Sequence, residues 1–436
     1  MTAFLQSVPI SAIAVVLGIA IFMFLCLKGI GTVLSGVIAA AFVGITAYSG
    51  IVNSLFTSFL SGAATFLQAM LLVFVAGATF GGMLNATGCS DRIGITMAKL
   101  LGDKNIFILI YVLCIVLQMA GVQPVLVISF ISFGMLRKLD LPRYIAMVAT
   151  MGASFLVLFG PASTNMVASN ALGTSIYTKP VYTIIVAIFY LALLHCYVLY
   201  LVRDARKKGK GYDPMPNEGE MKLKDESKLP SFGFAIAPVI FVIAWCLVMI
   251  NVFGWASGTA GVSGMLIAAF FLLFTRGKYI EGNKFKVMEN AAKPVLYALI
   301  CSCCAVGFAT VVQDTAVFDA IIGSITKWGL SGYLIAILGT VLFSAICADG
   351  NAGASSFLGS MGETLMNSGL DIGIVHRLVQ WSAATFDSLP HNGSVVMFLT
   401  LFGYDHKSGY KYIIVSNIVI TSITTVFAYV LALIFF

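Results

Sequence analysis

Apolar runs long enough to cross a lipid bilayer recur along almost the whole sequence, and they constrain the fold more than any other feature. A transmembrane helix needs about 20 consecutive apolar residues, and the first such run covers residues 9–27. Of the 436 residues, 60% are hydrophobic and only 10% are charged, with a mean hydropathy of +1.00. A soluble core cannot absorb that much apolar surface. The sequence therefore predicts an all-α polytopic membrane protein with membrane lipid as a partner.

The cysteines and the net charge argue against several classes of function. Nine cysteines lie in apolar stretches without the His-rich surroundings of metal sites, so we expect packing residues, no metal and no cofactor. The net charge of +7 comes mostly from Lys and Arg in loops, where membrane topology explains them. We therefore expect no nucleic-acid partner. Residues 1–8 carry no basic charge and the next run can span, which predicts a retained helix rather than a cleaved signal peptide.

A charged segment containing Gly and Pro, residues 203–230, is predicted to be a cytoplasmic linker between residues 1–202 and 231–436. Sliding the first part onto the second at a constant offset of 228 matches many positions. The matched pairs include Ser35 with Ser263, Phe80 with Phe308, Asp91 with Asp319, Ala120 with Ala348, and Gly134 with Gly362. A constant offset favours an internal duplication over chance apolar similarity.

Each half shows the same order of segments. Three spans are followed by two apolar arms that meet at a polar or Gly/Pro break, then by an interrupted span and a final intact one. The arms predict helical hairpins at residues 105–136 and 333–365. The interrupted spans predict one broken helix in each half, at residues 142–177 and 372–402. Because a hairpin returns to the side it left, each half is predicted to cross the membrane five times.

An odd number of crossings turns the second half upside down relative to the first, so two inverted repeats are predicted. Cytoplasmic loops carry an excess of Lys and Arg, which tests the orientation. With the N-terminus outside the cytoplasm, only Lys179, Lys327 and Arg377 fall on the outer side. We therefore predict a multi-pass protein of the bacterial cytoplasmic (inner) membrane with both termini outside the cytoplasm.

The hairpin tips and helix breaks mark the predicted binding site, because non-helical backbone at membrane depth is tolerated only in protein or beside a watery cavity. The tips are residues 120–124 and 348–356, and the breaks are residues 160–165 and 387–394. Half-helix N-termini with Ser, Thr or Asn caps attract anions. The predicted substrate-binding residues are Gln123, Ser163, Thr164, Asn165, Asn351, Ser355, Ser356, His391, Asn392 and Ser394.

Ionisable side chains inside spans are costly and mark function. Asp349, Asp387 and His391 are the predicted proton or ion coupling residues, although a structural cap or Na⁺ ligand at Asp349 and a packing role for His391 stay open. Arg377 and His376 are expected at the outer start of their span, with an anchoring or steering role. With no Lys or Arg expected in the cavity, the site suits a hydroxylated monocarboxylate better than a di- or tricarboxylate.

Two segments resemble the gluconate permease (GntP) family, closest to its hydroxybutyrate-permease-like branch within the ion transporter superfamily. They are residues 385–412, TFDSLPHNGSVVMFLTLFGYDHKSGYKY, and residues 159–180, FGPASTNMVASNALGTSIYTKP. The specific part of the likeness is the DSLPHNG motif with the hairpin before it. The resemblance implies proton-coupled uptake of a sugar acid such as gluconate or of a short hydroxy acid, a homodimer, and an elevator-type motion of the hairpin domain.

Three other functions are alternatives to this one. A Na⁺-coupled carboxylate symporter differs only in the coupling ion, which is H⁺ in the favoured interpretation and Na⁺ in the alternative. In a cation/proton antiporter, Asp349 would bind the ion and no organic substrate would move. An intramembrane protease is disfavoured because Asp349-Gly350 lacks the GxGD form and no HExxH motif occurs. An enzyme is therefore not expected.

Overall fold

The fold was obtained as a computed structural model, which describes residues 8–47, 50–119, 124–156, 158–159, 163–214, 229–280, 283–317, 320, 324 and 329–436. In this part of the chain all regular structure is helical. The first half contains α1 Val8–Leu27, α2 Thr32–Thr46, α3 Ile51–Ala86, α4 Cys89–Met119, α5 Val125–Leu139, α6 Arg143–Ser154, α7 Ser163–Leu172 and α8 Pro180–Lys207. The second half contains α9 Phe232–Asn251, α10 Ser257–Arg276, α11 Lys284–Gln313, α12 Gly332–Cys347, α13 Gly350–Met366, α14 Ile372–Ala383, α15 Gly393–Leu401 and α16 His406–Phe435.

Within the described residues, seven helices are long and apolar enough to cross a membrane: α1, α3, α8, α9, α10, α11 and α16. Large apolar side chains on several of them face outward, as expected where lipid replaces water as the solvent. α11 is the most enclosed of the seven, because 71% of its most apolar stretch is buried, compared with 33% in α8. The predicted class, an all-helical polytopic membrane protein, is confirmed.

The two halves repeat the same helices in the same order. The final three helices of each half match closely: α6 and α14 have 12 residues each, α7 and α15 have 10 and 9, and α8 and α16 have 28 and 30. α1 and α9 have 20 residues each. The largest difference in length is between α4, with 31 residues, and α12, with 16. α2 has 15 residues and α10 has 20.

The first hairpin differs from the expectation in the first of its two arms. The sequence predicts an apolar arm that begins at residue 105. In the structure this arm is the second half of α4, one helix of 31 residues that begins at Cys89. Gly102 does not break this helix, because a glycine in a helix interior costs only about 1 kcal/mol relative to alanine. Of the predicted tip at residues 120–124, residues 120–123, which include Gln123, lie outside the described residues.

The second hairpin turns over a much shorter stretch than residues 348–356. α12 ends at Cys347 and α13 begins at Gly350, so the turn consists of Ala348 and Asp349. Ala348 adopts the left-handed conformation with φ 48°, and the Asp349 carboxylate accepts a bond from Ala352 N at 2.7 Å. This cap starts the helix at once, because it satisfies one of the free N–H groups of the first turn.

α3 and α11 form the central helix pair, and glycines allow their close approach. A Cβ atom on Gly307 of α11 would lie 2.7 Å from the backbone oxygen of Phe59. On α3, a Cβ atom on Gly62 would lie 2.1 Å from Thr310 Oγ1. Small residues at the contact let membrane helices pack backbone to backbone, which contributes to their association where the hydrophobic effect does not.

Gly307→Val should destabilise the protein, because the new side chain meets the backbone of Phe59 rather than a flexible side chain. Overpacking of this kind costs about 1–3 kcal/mol. Thermal unfolding of the purified protein in detergent measures the effect. Gly359→Val is the matched control, since a Cβ atom there meets nothing within 4 Å. Equal melting temperatures for the two variants would contradict the close contact.

Candidate functional site

The turn between α12 and α13 is held against the second helix break by one amide. Asn392 Nδ2 donates to the carbonyl of Ala348 at 2.6 Å, while Asn392 Oδ1 accepts from Val395 N at 2.8 Å and caps α15. The side chain of Asn392 therefore starts α15 and fixes the turn that starts α13. The N-termini of these two helices are consequently neighbours, and both helix dipoles present their positive ends there.

The N-terminus of α7 joins this arrangement from the first half of the chain. Thr164 Oγ1 donates to Asn351 Oδ1 at 2.5 Å, and α7 packs along α13. Three helix N-termini, those of α7, α13 and α15, therefore converge on the turn at Ala348 and Asp349. Free backbone N–H groups and positive dipole ends make such a place suited to an anion.

Side chains from other helices bond to backbone carbonyls around residues 384–392 and hold the break between α14 and α15 in place. Tyr410 OH donates to Ser388 O at 3.0 Å, and His406 Nε2 bonds to Pro390 O at 2.6 Å. A carbonyl only accepts, so His406 is the donor and carries its proton on Nε2. At the start of α15, Ser302 Oγ of α11 donates to Gly393 O at 2.8 Å. The irregular segment thus has its carbonyls paired by side chains from α11 and α16.

Two carboxyl groups lie at the centre of the site. Asp349 is half-buried and Asp387 is buried, and their charges are close enough to interact electrostatically. Gly350 separates them: a Cβ atom there would lie 2.8 Å from Ala383 O and 3.2 Å from Asp387 Oδ2. Asp387 Oδ1 accepts from Ser388 Oγ at 2.8 Å. A glycine at position 350 is what allows the hairpin turn to approach the break so closely.

His391 is fully buried, and its ring faces the scaffold of long helices. The ring centroid lies 5.7 Å from that of Phe22 in α1 and 6.0 Å from that of Phe308 in α11. Among the described residues, neither ring nitrogen has a hydrogen-bond partner. This environment fits the packing role that was left open for His391. Its roles in binding and coupling remain predictions.

The other predicted binding residues fall in different places. Ser355 is exposed and Ser356 partly exposed on α13, one to two turns beyond the tip in which they were expected. Ser394 is partly exposed in the first turn of α15, and Ser163 begins α7. Asn165 is fully buried, and both ends of its amide are bonded to protein, so it supports α7 rather than facing a cavity.

Arg377 forms a buried hydrogen-bond network. The sequence predicts a different position for it, at the outer start of its span. The structure buries it fully, and all five N–H donors of its guanidinium are used. The acceptors are Thr178 O for Nε, Asn165 Oδ1 and Gln380 Oε1 for Nη1, and Ile176 O and Thr178 O for Nη2. Three of these bonds end on backbone carbonyls just after α7. The cation therefore binds the backbone of the loop between α7 and α8.

His376 completes the same cluster. Its Nε2 bonds to Asn165 Oδ1 at 2.7 Å and its Nδ1 to Thr174 Oγ1 at 2.6 Å. Since the amide oxygen only accepts, Nε2 carries the proton. His376 and Arg377 together tie α14 to α7 and to the loop that follows it. They have no part in steering from an outer surface.

Arg143 makes the reciprocal connection from the first half of the chain. Its side chain is buried at the start of α6, and Nη1 donates to Phe402 O, directly after α15, at 2.6 Å. The two short helices that begin at the breaks, α7 and α15, are thus each followed by backbone carbonyls that bind an arginine from the other half of the chain. A charge within an apolar run is the signal that marks Arg377 in the sequence, but it does not indicate the partners of the side chain.

Comparison with known proteins identifies the family. The family model described as "GntP family permease" matches residues 10–434. The chain belongs to the GntP permease family. An uncharacterized transporter, YxjC of Bacillus subtilis (strain 168), is 22% identical over 94% of this chain and 96% of its own length. An uncharacterized transporter of Haemophilus influenzae (strain ATCC 51907 / DSM 11121 / KW20 / Rd) is 23% identical over 83% of this chain and 86% of its own.

Among solved structures, the crystal structure of the Alcanivorax borkumensis YdaH transporter aligns with 12% identity and a TM-score of 0.37, over 87% of this chain and 88% of that chain. The GntP family assignment, together with the apolar helices, makes the protein a multi-pass membrane transporter of the secondary type rather than an enzyme.

In this permease, Arg377→Met should lower the free energy of unfolding by at least about 3 kcal/mol, because each buried acceptor left unpaired costs about 1–3 kcal/mol. Arg377→Lys should not restore stability, since a single ammonium cannot reach acceptors arranged around a planar fork. Thermal unfolding in detergent tests both variants. Lys407→Met, which removes an exposed cation, is the control. Full stability of Arg377→Lys would show that charge alone matters.

Proposed function

We propose that the protein is a proton symporter for a small organic anion, such as gluconate or a short hydroxy monocarboxylate. The observation that carries the proposal is the meeting of three helix N-termini, those of α7, α13 and α15, around Asp349. Such ends bind a carboxylate through backbone N–H groups and dipoles. Hydroxyl and amide side chains nearby, including Thr164, Asn351 and Ser394, suit the hydroxyl groups of the substrate.

The charges around the site favour a substrate with a single carboxylate. The Arg377 guanidinium is saturated by protein acceptors, and Arg143 donates to Phe402 O and towards residues 213–214. Neither of these buried cations is therefore directed at the three N-termini. A second or third carboxylate on the substrate would have to be buried against dipoles alone, and an uncompensated buried charge is costly.

A proton is the proposed coupling ion because of the two carboxyl groups beside the site. An anion that binds next to Asp349 and Asp387 adds a further negative charge to a buried cluster that already contains two acids. Entry of a proton with the substrate offsets that charge. Na⁺ could offset it in the same way, and the proposed uptake assay distinguishes the two ions.

The proposed architecture is two inverted repeats that exchange roles during transport, in a bacterial inner-membrane homodimer of the hydroxybutyrate-permease-like branch, with both termini outside the cytoplasm. The matched helix order of the two halves supports the repeats. Lys28 and Lys407 line one cavity of about 280 Å³, which agrees with their assignment to the same, cytoplasmic side. An elevator-type motion would move the hairpins and broken helices against the long helices.

Uptake into proteoliposomes tests the substrate class and the coupling ion. The labelled anions are gluconate, 3-hydroxybutyrate, lactate and citrate, each offered under an imposed pH gradient, an imposed Na⁺ gradient, or neither. Accumulation of a monocarboxylate driven by inward-directed acid, with no response from citrate, is the expected result. Transport of citrate alone, or of none of the four, would reject the substrate class, and a response to Na⁺ alone would reject the proton.

Asp349→Asn should abolish accumulation driven by the pH gradient, because the amide keeps the shape of the side chain but cannot carry a proton. Folding should persist, since the amide oxygen can still cap α13 at Ala352 N. Glu363→Gln, an exposed carboxylate further along α13, is the matched control and should accumulate substrate normally. Undiminished acid-driven uptake by folded Asp349→Asn would remove Asp349 from the coupling mechanism.

A further inference from the structure

The residues that follow α8 are held against the hairpin base rather than free in solvent. We refer to residues 211–214 as the linker strap. Tyr212 N donates to Asp140 Oδ1 at 2.8 Å, and the Arg137 guanidinium lies over the Tyr212 ring, 5.8 Å from its centroid. Gly211 lies so close to Asp140 that a Cβ atom on the glycine would lie 2.4 Å from Asp140 Oδ1. The sequence interpretation assigned this segment to a solvated linker, which does not describe these four residues.

Asp213 of the strap connects two parts of the fold that are distant in sequence. Its Oδ1 accepts from Arg143 N at 2.8 Å, and its Oδ2 lies 3.4 Å from Arg143 Nη2. The same Oδ2 accepts the phenolic proton of Tyr404. Burial, followed by the bond to Asp213, raises the pKa of Tyr404, which keeps the phenol protonated as the donor at neutral pH.

The contact with Arg143 N is a helix cap supplied from another segment. α6 begins at Arg143, and the preceding Pro142 provides no side-chain cap. A carboxylate at this position satisfies a free N–H group and complements the positive end of the helix. Asp213 thereby does for α6 what Asp349 and Asn392 do for α13 and α15 from within their own chain segments.

The contact with Tyr404 reaches the other broken helix. Tyr404 follows α15, whose last carbonyls include Phe402 O, the acceptor of Arg143 Nη1. α15 is a helix of nine residues that begins at the candidate site. A helix this short behaves as a rigid rod, so a shift at its C-terminal end displaces its N-terminus in the site.

We propose that Asp213 is a positioning residue for transport: the strap fixes α6 and the end of α15 relative to each other, and thereby sets where the N-terminus of α15 meets the substrate. This inference rests on the proposed function, because it assigns the substrate to that N-terminus. Misplacement of a binding group by about 1 Å can reduce efficiency by up to about 100-fold.

The test compares Asp213→Ala, Asp213→Glu and Tyr404→Phe with wild type in proteoliposomes that contain equal amounts of folded protein. Asp213→Ala should raise the KM for uptake at least about 10-fold, Tyr404→Phe should raise it less, and Asp213→Glu should restore much of the affinity. Asp204→Ala is the matched control, because the Asp204 side chain forms its ion pair with exposed Lys208, four residues further along the chain. A KM unchanged in Asp213→Ala, with only the yield of folded protein reduced, would overturn the positioning role.

Hydrogen–deuterium exchange in detergent provides a readout that needs no substrate. Backbone amides in residues 393–404 and in the first turn of α6 should exchange faster in Asp213→Ala than in wild type, and equally in Asp204→Ala. If wild type transports none of the tested anions, the proposed function fails while faster exchange would still support the strap. Identical exchange in Asp213→Ala and wild type would overturn the strap whatever the transport result.

Discussion

Helices that stop inside a membrane protein expose backbone groups that no water can satisfy, and the pairing of those groups governs the rest of this structure. At the N-terminal ends, Asp349 and Asn392 supply caps. Beyond the far ends of the two short helices that begin at the breaks, the guanidinium of Arg377 binds loop carbonyls after α7, and that of Arg143 binds Phe402 O after α15. An unpaired polar group in the apolar interior costs several kcal/mol. The breaks are therefore completed partly by caps within their own segments and partly by side chains from other helices, such as Ser302 and His406.

These connections cross between the two halves of the chain, and that has a mechanical consequence. α14 from the second half is tied to the loop after α7 in the first half, while α6 from the first half is tied to the end of α15 in the second. The ion pair between Lys179 and Asp371 adds to the first of these links. Since neither broken helix can shift without breaking several buried bonds of the other, the four half-helices are expected to move together.

The sequence predicts much of this site and misses the connections that hold it. Asp349 and Asn392 are recognisable because a polar residue beside Gly or Pro in an apolar run has few roles other than ending or starting a helix. The continuous course of α4 through Gly102 was not predictable, because the cost of one glycine is small against 31 residues of helix. The contacts of Arg377, Arg143 and Asp213 are not predictable for another reason. Their partners lie roughly 70 to 260 positions away in the chain, and the local sequence does not show which distant residues come together.

The two halves have the same order of helices, but equivalent helices pack against different partners. This difference bears on how the proposed alternating access operates. α13 packs against α7, whereas its counterpart α5 packs against α3. α15 packs against α11, whereas the described part of the chain shows no extensive contact between its counterpart α7 and α3. Under the proposed inverted symmetry, exchanging these arrangements generates the opposite state of the transporter. Among the described residues, the hydrogen bonds between the long helix α11 and the moving elements include Ser302 with Gly393 and Gln313 with Cys347. Both are single hydrogen bonds of neutral groups, each worth about 1 kcal/mol, whereas the arginine connections within the moving group are charged and multiple. Under the proposed motion, the weak polar contacts therefore lie where movement is required and the strong ones where it is not.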